Sequence, residues 1–110
     1  MDKPNLAEEV NRLHAEICSA IADPTRIMLV YALYEQPSNV TELASKLNIS
    51  QPATSRHLRI LRDHGLVSGT RLGPNVVYSL NDIRLIQALD LMREILRDRI
   101  AYGASIMEQE

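Results

Sequence analysis

Between Thr41 and Gly65 two short helical patterns stand three residues apart, and this spacing constrains the chain more than any other feature. The first, Thr41 to Leu47, places Leu43, Ala44 and Leu47 on one face. Asn48-Ile49-Ser50 is the whole connection. Ser50 suits an N-cap, because its hydroxyl can accept from an N–H of the first turn of a helix running from Gln51 to about His64. Thr54, Leu58 and Leu61 recur there at i, i+4 and i+7 as the inward stripe. Gln51, Ser55, Arg56, Arg59 and Arg62 are left on more exposed faces. Gly65 fits the C′ position that ends the helix.

The flanking sequence completes the pattern. Leu6, Val10, Leu13, Ile17 and Ile21 recur at three- and four-residue steps, predicting an amphipathic first helix. Asp23-Pro24-Thr25 restarts the chain with an N-cap and a proline at the first helical position, so a second, nearly all-apolar helix runs to about Tyr34. Gln36-Pro37-Ser38-Asn39 reads as a turn. After Gly65, Val67–Arg71 and Val76–Leu80 are short strands around Leu72-Gly73-Pro74-Asn75, a hairpin with turn chemistry. Asn81 or Asp82 caps a long last helix from Ile83 to about Tyr102, apolar on more than one face through Leu85, Ile86, Leu89, Met92, Ile95, Leu96 and Ile100. The predicted fold is mostly α with a small β-hairpin wing: a winged helix-turn-helix in the order α-α-α-α-β-β-α, one domain over residues 1–110. The unmatched apolar faces of the first and last helices predict a homodimer.

Charge is distributed unevenly. Lys46, Arg56, Arg59, Arg62 and Arg71 face Asp63 alone between Ser45 and Asn75, a net of +4 within a chain of net charge −2. That basic block suits a polyanion, whereas an accidental cluster of solvated arginines is the plain alternative. In a helix-turn-helix the second helix presents its N-terminal turn to the major groove, where side chains reach base edges. Gln51 can bond adenine bidentately and Arg56 can read guanine, with Ser50, Ser55 and Thr54 in reach of base or phosphate. Thr54 also lies on the inward stripe, where it would serve packing. Arg59, Arg71 and Asn75 are placed on the backbone or in the minor groove, adding affinity with little sequence information. Four tyrosines and no Phe or Trp make a poor stacking platform for single strands.

Several classes drop out. With 110 residues and 45% hydrophobic content the chain can bury a core without staples, and the single Cys18 excludes an intrachain disulfide framework. No apolar run reaches the roughly 20 residues of a membrane span. The opening Met1-Asp2-Lys3-Pro4 has no secretory pattern, so a cytoplasmic protein is expected. No phosphate-cradling glycine motif is present and no cofactor is implied. No carboxylate pair, Ser-His-Asp set or Cys-His set converges, so an enzyme is not expected.

Taken in order, Ala22-Asp23-Pro24-Thr25-Arg26-Ile27, Val40-Thr41-Glu42-Leu43-Ala44, Ser50 through Leu61, Gly65-Leu66-Val67 and Arg71 through Leu80 resemble the ArsR/SmtB family of winged-helix repressors. The resemblance covers roughly Ile21 to Leu80, and it implies that His57, within Ser-Arg-His-Leu of the recognition helix, contacts phosphate, a core role being the plain alternative. It implies a homodimer, joined through the first and last helices, that represses transcription on double-stranded operator DNA until an effector loosens it. Its common thiolate site falls here on Asn39 and Thr41, and its last-helix site on Asp82, Arg84, Ile95 and Asp98. Neither set can hold a soft metal or zinc. The effector is not readable from the residues.

His14 and Cys18, at i and i+4 of the first helix, remain as candidates for half a metal site or a reactive thiol. The plain alternative is inert packing at an interface, the usual fate of a free cysteine. His64, before Gly65, reads as a helix C-terminal charge, and Arg26 as a structural residue with an acidic or DNA partner. Asp90, Glu94 and Asp98 interleave with Arg93, Arg97 and Arg99 as a solvated face. A protein-interaction module without DNA binding is the rival reading, and the basic face argues against it.

Overall fold

A computed structural model describes residues 5–109, with side chains described to residue 103. Residues 1–4, the basis for expecting no secretory pattern, lie outside them. The first helix, α1, comprises α-helical Leu6–Leu13, a π-helical stretch His14–Cys18 and a final α-turn Ser19–Ile21. Then follow α2 (Pro24–Glu35), α3 (Val40–Leu47), α4 (Gln51–Asp63), β1 (Val67–Leu72), β2 (Asn75–Leu80) and α5 (Arg84–Gln109). Among the described residues no helix is long and apolar enough to cross a membrane.

Local chemistry sets nearly every boundary of the central region. Asp23 caps α2 by accepting from the Arg26 N–H, with Pro24 at the first position. Asn39 and Glu42 form a capping box that starts α3 at Val40, one residue before the predicted Thr41. Asn48 then adopts φ +55, and the N–H groups of Asn48 and Ile49 return to the carbonyls of Ser45 and Ala44. That is a Schellman motif, with Asn in the left-handed role. Two residues later Ser50 caps α4 by accepting from the Ala53 N–H at 3.2 Å. Gly65, at φ +75, closes α4 the same way: its own N–H reaches Arg62 and that of Leu66 reaches Leu61. The turn between α3 and α4 is therefore tight because both of its ends are stopped by side-chain or left-handed chemistry.

Leu29, Val30, Leu43, Thr54, Leu58, Leu61 and Val67 are fully buried, where α2, α3, α4 and the base of the hairpin meet. The hairpin is antiparallel with Val67 opposite Leu80 and Leu72 opposite Asn75, so each strand is one residue longer than predicted. Gly73, at φ +63, precedes Pro74, whose ring keeps φ negative, the sign order of a type II′ turn. A side chain at Gly69 would meet Val76 at 3.0 Å and the Tyr78 ring at 3.2 Å; the glycine makes room for that ring across the pair.

Two features differ from the sequence expectations, and a third decides between two candidate caps. The predicted turn at Gln36–Asn39 contains a bridge, Ser38 exchanging both backbone hydrogen bonds with Tyr78, which adds a third short edge to the hairpin. The last helix runs past Tyr102 to Gln109. Asn81 does not cap that helix. Its amide oxygen instead accepts from the Ser68 hydroxyl and its amide nitrogen donates to the Gly65 carbonyl, tying the wing to the end of α4. Asp82 does the capping, accepting from the Arg84 N–H at 2.9 Å.

Candidate nucleic-acid interface

One side of α4 is anchored in the core and the other is free. At 3.6 residues per turn, Gln51, Ser55, Arg59 and Arg62 fall within roughly 80° of arc, and Arg56 borders them. All five are exposed. The adjoining arc carries Thr54, Leu58 and Leu61, all fully buried. The core therefore fixes the helix rotation and with it the direction of the polar face. Arg62, absent from the DNA-facing set expected from sequence, stands on that face at three turns from Gln51. Its spacing is the signal that marks it.

Thr54 leaves the set. Its side chain is fully buried and its hydroxyl donates to the Ser50 carbonyl at 2.8 Å, so it reaches neither base nor phosphate. The inward stripe, not the sequence proximity to Gln51 and Ser55, decides its role. Ser50 is exposed with its oxygen on the cap. His57 is half-buried, with Nδ1 at 3.4 Å from Nη1 of Arg26. Arg26 itself pairs with no carboxylate side chain among the described residues; its guanidinium donates to the carbonyls of Ala20 and Ser19. His64 lies at the C-cap with Nδ1 at 2.9 Å from the Ile60 carbonyl, in keeping with its reading as a helix-end group.

The charges on this face are mostly unengaged. Arg59 stands 3.9 Å from Asp63, an exposed i, i+4 pair that a phosphate would displace readily. Arg56, Arg62 and Arg71 form no ion pair among the described residues. Arg71 is exposed on β1 opposite Val76, and Asn75 is exposed at the start of β2. The fold thus offers two basic elements, a helix face and a hairpin tip.

The resemblance-derived metal positions serve other contacts. Asn39 is the cap of α3, and Asp82 is gripped by Arg84 through Nε at 3.0 Å and Nη2 at 2.6 Å. The Arg84 side chain, aided by its backbone N–H, lowers the Asp82 carboxyl to about 2. Ile95 and Asp98 are exposed. His14 and Cys18 bracket the π-helical stretch, and both are exposed in the single chain. Among the described residues no group of three His, Cys, Asp or Glu side chains is placed to hold a metal. The supposed solvated face of α5 is more engaged than expected: the Tyr31 hydroxyl donates to Asp90 at 2.6 Å, and Arg93 lies 5.2 Å above the Tyr31 ring.

A capped helix pair, an exposed polar helix face and an arginine-bearing hairpin define a winged helix-turn-helix protein. The family model for "Bacterial regulatory protein, arsR family" matches residues 23–68. The HTH-type transcriptional regulator NmtR of Mycobacterium tuberculosis is 43% identical over 76 residues, covering 69% of this chain and 63% of that protein. A probable mercury resistance operon repressor of Streptomyces lividans is 36% identical over 87 residues, covering 79% of this chain and 70% of that one. The crystal structure of NolR from Sinorhizobium fredii superposes with a TM-score of 0.72 at 31% identity, over 86% of this chain and 96% of that chain. The chain spans under two thirds of the length of several curated relatives it matches. It belongs to the ArsR family of bacterial transcriptional regulators.

Proposed function

We propose that this chain is a transcriptional repressor that binds double-stranded DNA sequence-specifically, as a homodimer on an inverted-repeat operator in the cytoplasm. The observation that carries it is the free polar face of α4, its direction set by the adjoining buried stripe, together with exposed Arg71 on the hairpin. Gln51, Ser55 and Arg56 read bases in the major groove. Ser50, His57, Arg59, Arg62, Arg71 and Asn75 hold phosphate or the minor groove. Two recognition helices, one per copy, match a two-fold operator. Residues 1–110 act as one winged-helix unit, with no catalytic step and no cofactor.

The test is binding of a fluorescent duplex recovered by selection from a random pool, followed across salt concentration. Arg71→Ala is expected to weaken all duplexes alike and to lower the salt slope by about 1 for each phosphate left without its cation. Arg56→Ala is expected to cost about 1–3 kcal/mol on the selected duplex and to relax one base pair per half-site. No duplex binding above background at low salt would overturn the reading and favour an interaction module.

A further inference from the structure

Arg26 belongs to α2, yet its guanidinium serves the helices on either side. Its Nε–H donates to the Ala20 carbonyl, and an Nη2–H reaches the Ser19 carbonyl at 3.4 Å. These carbonyls close α1, where helical partners run out. Nη1 lies 3.4 Å from Nδ1 of His57 on α4. The residue is itself anchored, because its backbone N–H donates to Asp23 at 3.1 Å. That bond, more than any neighbouring charge, holds the Asp23 carboxyl below its ordinary range. One half-buried cation thus touches the end of α1, the start of α2 and the recognition helix.

The chemistry of that contact has one outcome. A guanidinium has five N–H donors, no acceptor, and does not give up its proton. Facing it, His57 Nδ1 can only accept. A neutral imidazole that accepts at Nδ1 carries its proton on Nε2. Whatever the ring meets outside the protein, it meets with an N–H. A phosphate oxygen only accepts, so this tautomer attracts it and the other presents a lone pair that repels it.

We propose that Arg26 is a positioning residue for DNA recognition: it fixes His57 as the Nε2–H tautomer, the form that donates to a backbone phosphate, and ties that ring to the seat of α1. The proposal rests on the reading of α4 as the recognition helix. It gives α1 a route to the DNA-facing surface, since a shift of the Ser19 and Ala20 carbonyls moves the guanidinium that holds the imidazole.

Two measurements test it, and the first needs no DNA. Two-bond nitrogen–proton correlation spectra of the labelled wild-type protein, under alkaline conditions that keep an ordinary imidazole neutral, assign the His57 tautomer directly. The Nε2–H pattern is expected in wild type, and a mixture of tautomers in Arg26→Ala. A wild-type Nδ1–H pattern overturns the proposal whether or not DNA binds.

The second is a double-mutant cycle on the selected duplex. Arg26→Ala and His57→Ala should each weaken binding about tenfold, the scale of one hydrogen bond to a charged group, and the double variant no more than His57→Ala alone. His57→Gln keeps a donor near the Nε2 position without needing a tautomer, so it should hold its affinity with or without Arg26. Additive losses would mean that Arg26 acts by closing α1 alone, and the proposal would fall. The expected tautomer in a protein that binds no duplex would instead overturn the DNA reading on which the proposal rests.

Discussion

The central body and the two long helices treat the same kinds of side chain in opposite ways. From α2 to the hairpin, Leu29, Val30, Leu43, Leu58, Leu61 and Val67 are fully buried. On α1, Leu6 is 77% exposed, and on α5 Leu91, Ile95, Leu96 and Ile100 are all more than half exposed. Among the described residues of α5, those of its first turns take part in the core, through Ile86 and Leu89. Short helices that cross can cover one another, whereas a long helix outruns the body it starts from. The body's stability is therefore internal to one chain. The apolar stripes of α1 and α5 are too extensive for a monomer surface and fit a second copy, as the proposed dimer requires.

The sharpest way to break this contrast is to cut into each region with a comparable substitution. Leu58→Ala removes a fully buried side chain of the recognition helix and should destabilise the chain by about 2–5 kcal/mol in denaturant unfolding. A loss below about 1 kcal/mol would mean that the body does not depend on its own packing.

Ile95→Glu tests the other region. It puts a charge into an exposed stripe of α5, so the helical circular dichroism of the body should persist. Sedimentation should show the dimer weakened by about 2 kcal/mol or more, the scale of an interface anchor. A dimer of unchanged strength would place the interface elsewhere. DNA affinity should fall with dimerisation, because each copy supplies one recognition helix.

What the sequence reveals divides along similar lines. The caps at Asp23 and Ser50, the Gly65 stop and the Gly73-Pro74 turn act within four residues, so spacing alone exposes them. The Asn39–Glu42 box is as local but goes unread, because Asn39 reads as the end of a turn. The Thr54–Leu58–Leu61 stripe is equally local and fixes which way α4 faces; burial of Thr54 follows from it. The Ser38–Tyr78 bridge is different. It joins residues forty apart with backbone groups, and no side-chain period marks a one-residue pairing. The grip of Arg26 on α1 and His57, and the pairing of Tyr31 with Asp90, arise likewise only when distant helices are packed. The π-helical stretch His14–Cys18 has no Gly or Pro to announce it.

Capping chemistry within the body gives a smaller effect than packing. Asn39→Ala removes the side chain that accepts from the Glu42 N–H at 2.8 Å and leaves only the reciprocal half of the box, the Glu42 carboxylate on the backbone N–H of residue 39. The expected cost is about 1 kcal/mol in denaturant unfolding, with α3 fraying from Val40 in hydrogen exchange. The dimer should be unaffected, because α3 lies in the body. A loss as large as that of Leu58→Ala would show that the box holds more than one helix end.

The smallest effect belongs to the junction between the two regions, where Asp82 and Arg84 begin α5. Arg84 side-chain donation, reinforced by the Arg84 backbone N–H, lowers the Asp82 carboxyl to about 2 from an ordinary 3.8. A depressed carboxyl stabilises the folded chain above its unfolded value, and that contribution is lost as pH falls from about 3.8 through about 2. Both partners are more than half exposed, so solvent and salt screen the pair. Arg84→Ala should therefore raise the Asp82 value in a carboxyl titration by NMR without moving the thermal midpoint at neutral pH. The value should stop short of 3.8, because the backbone N–H of residue 84 still donates to the carboxylate. A full return to the ordinary value would mean that Asp82 does not cap α5, and a large drop in thermal midpoint that the junction carries structural strain between body and helix.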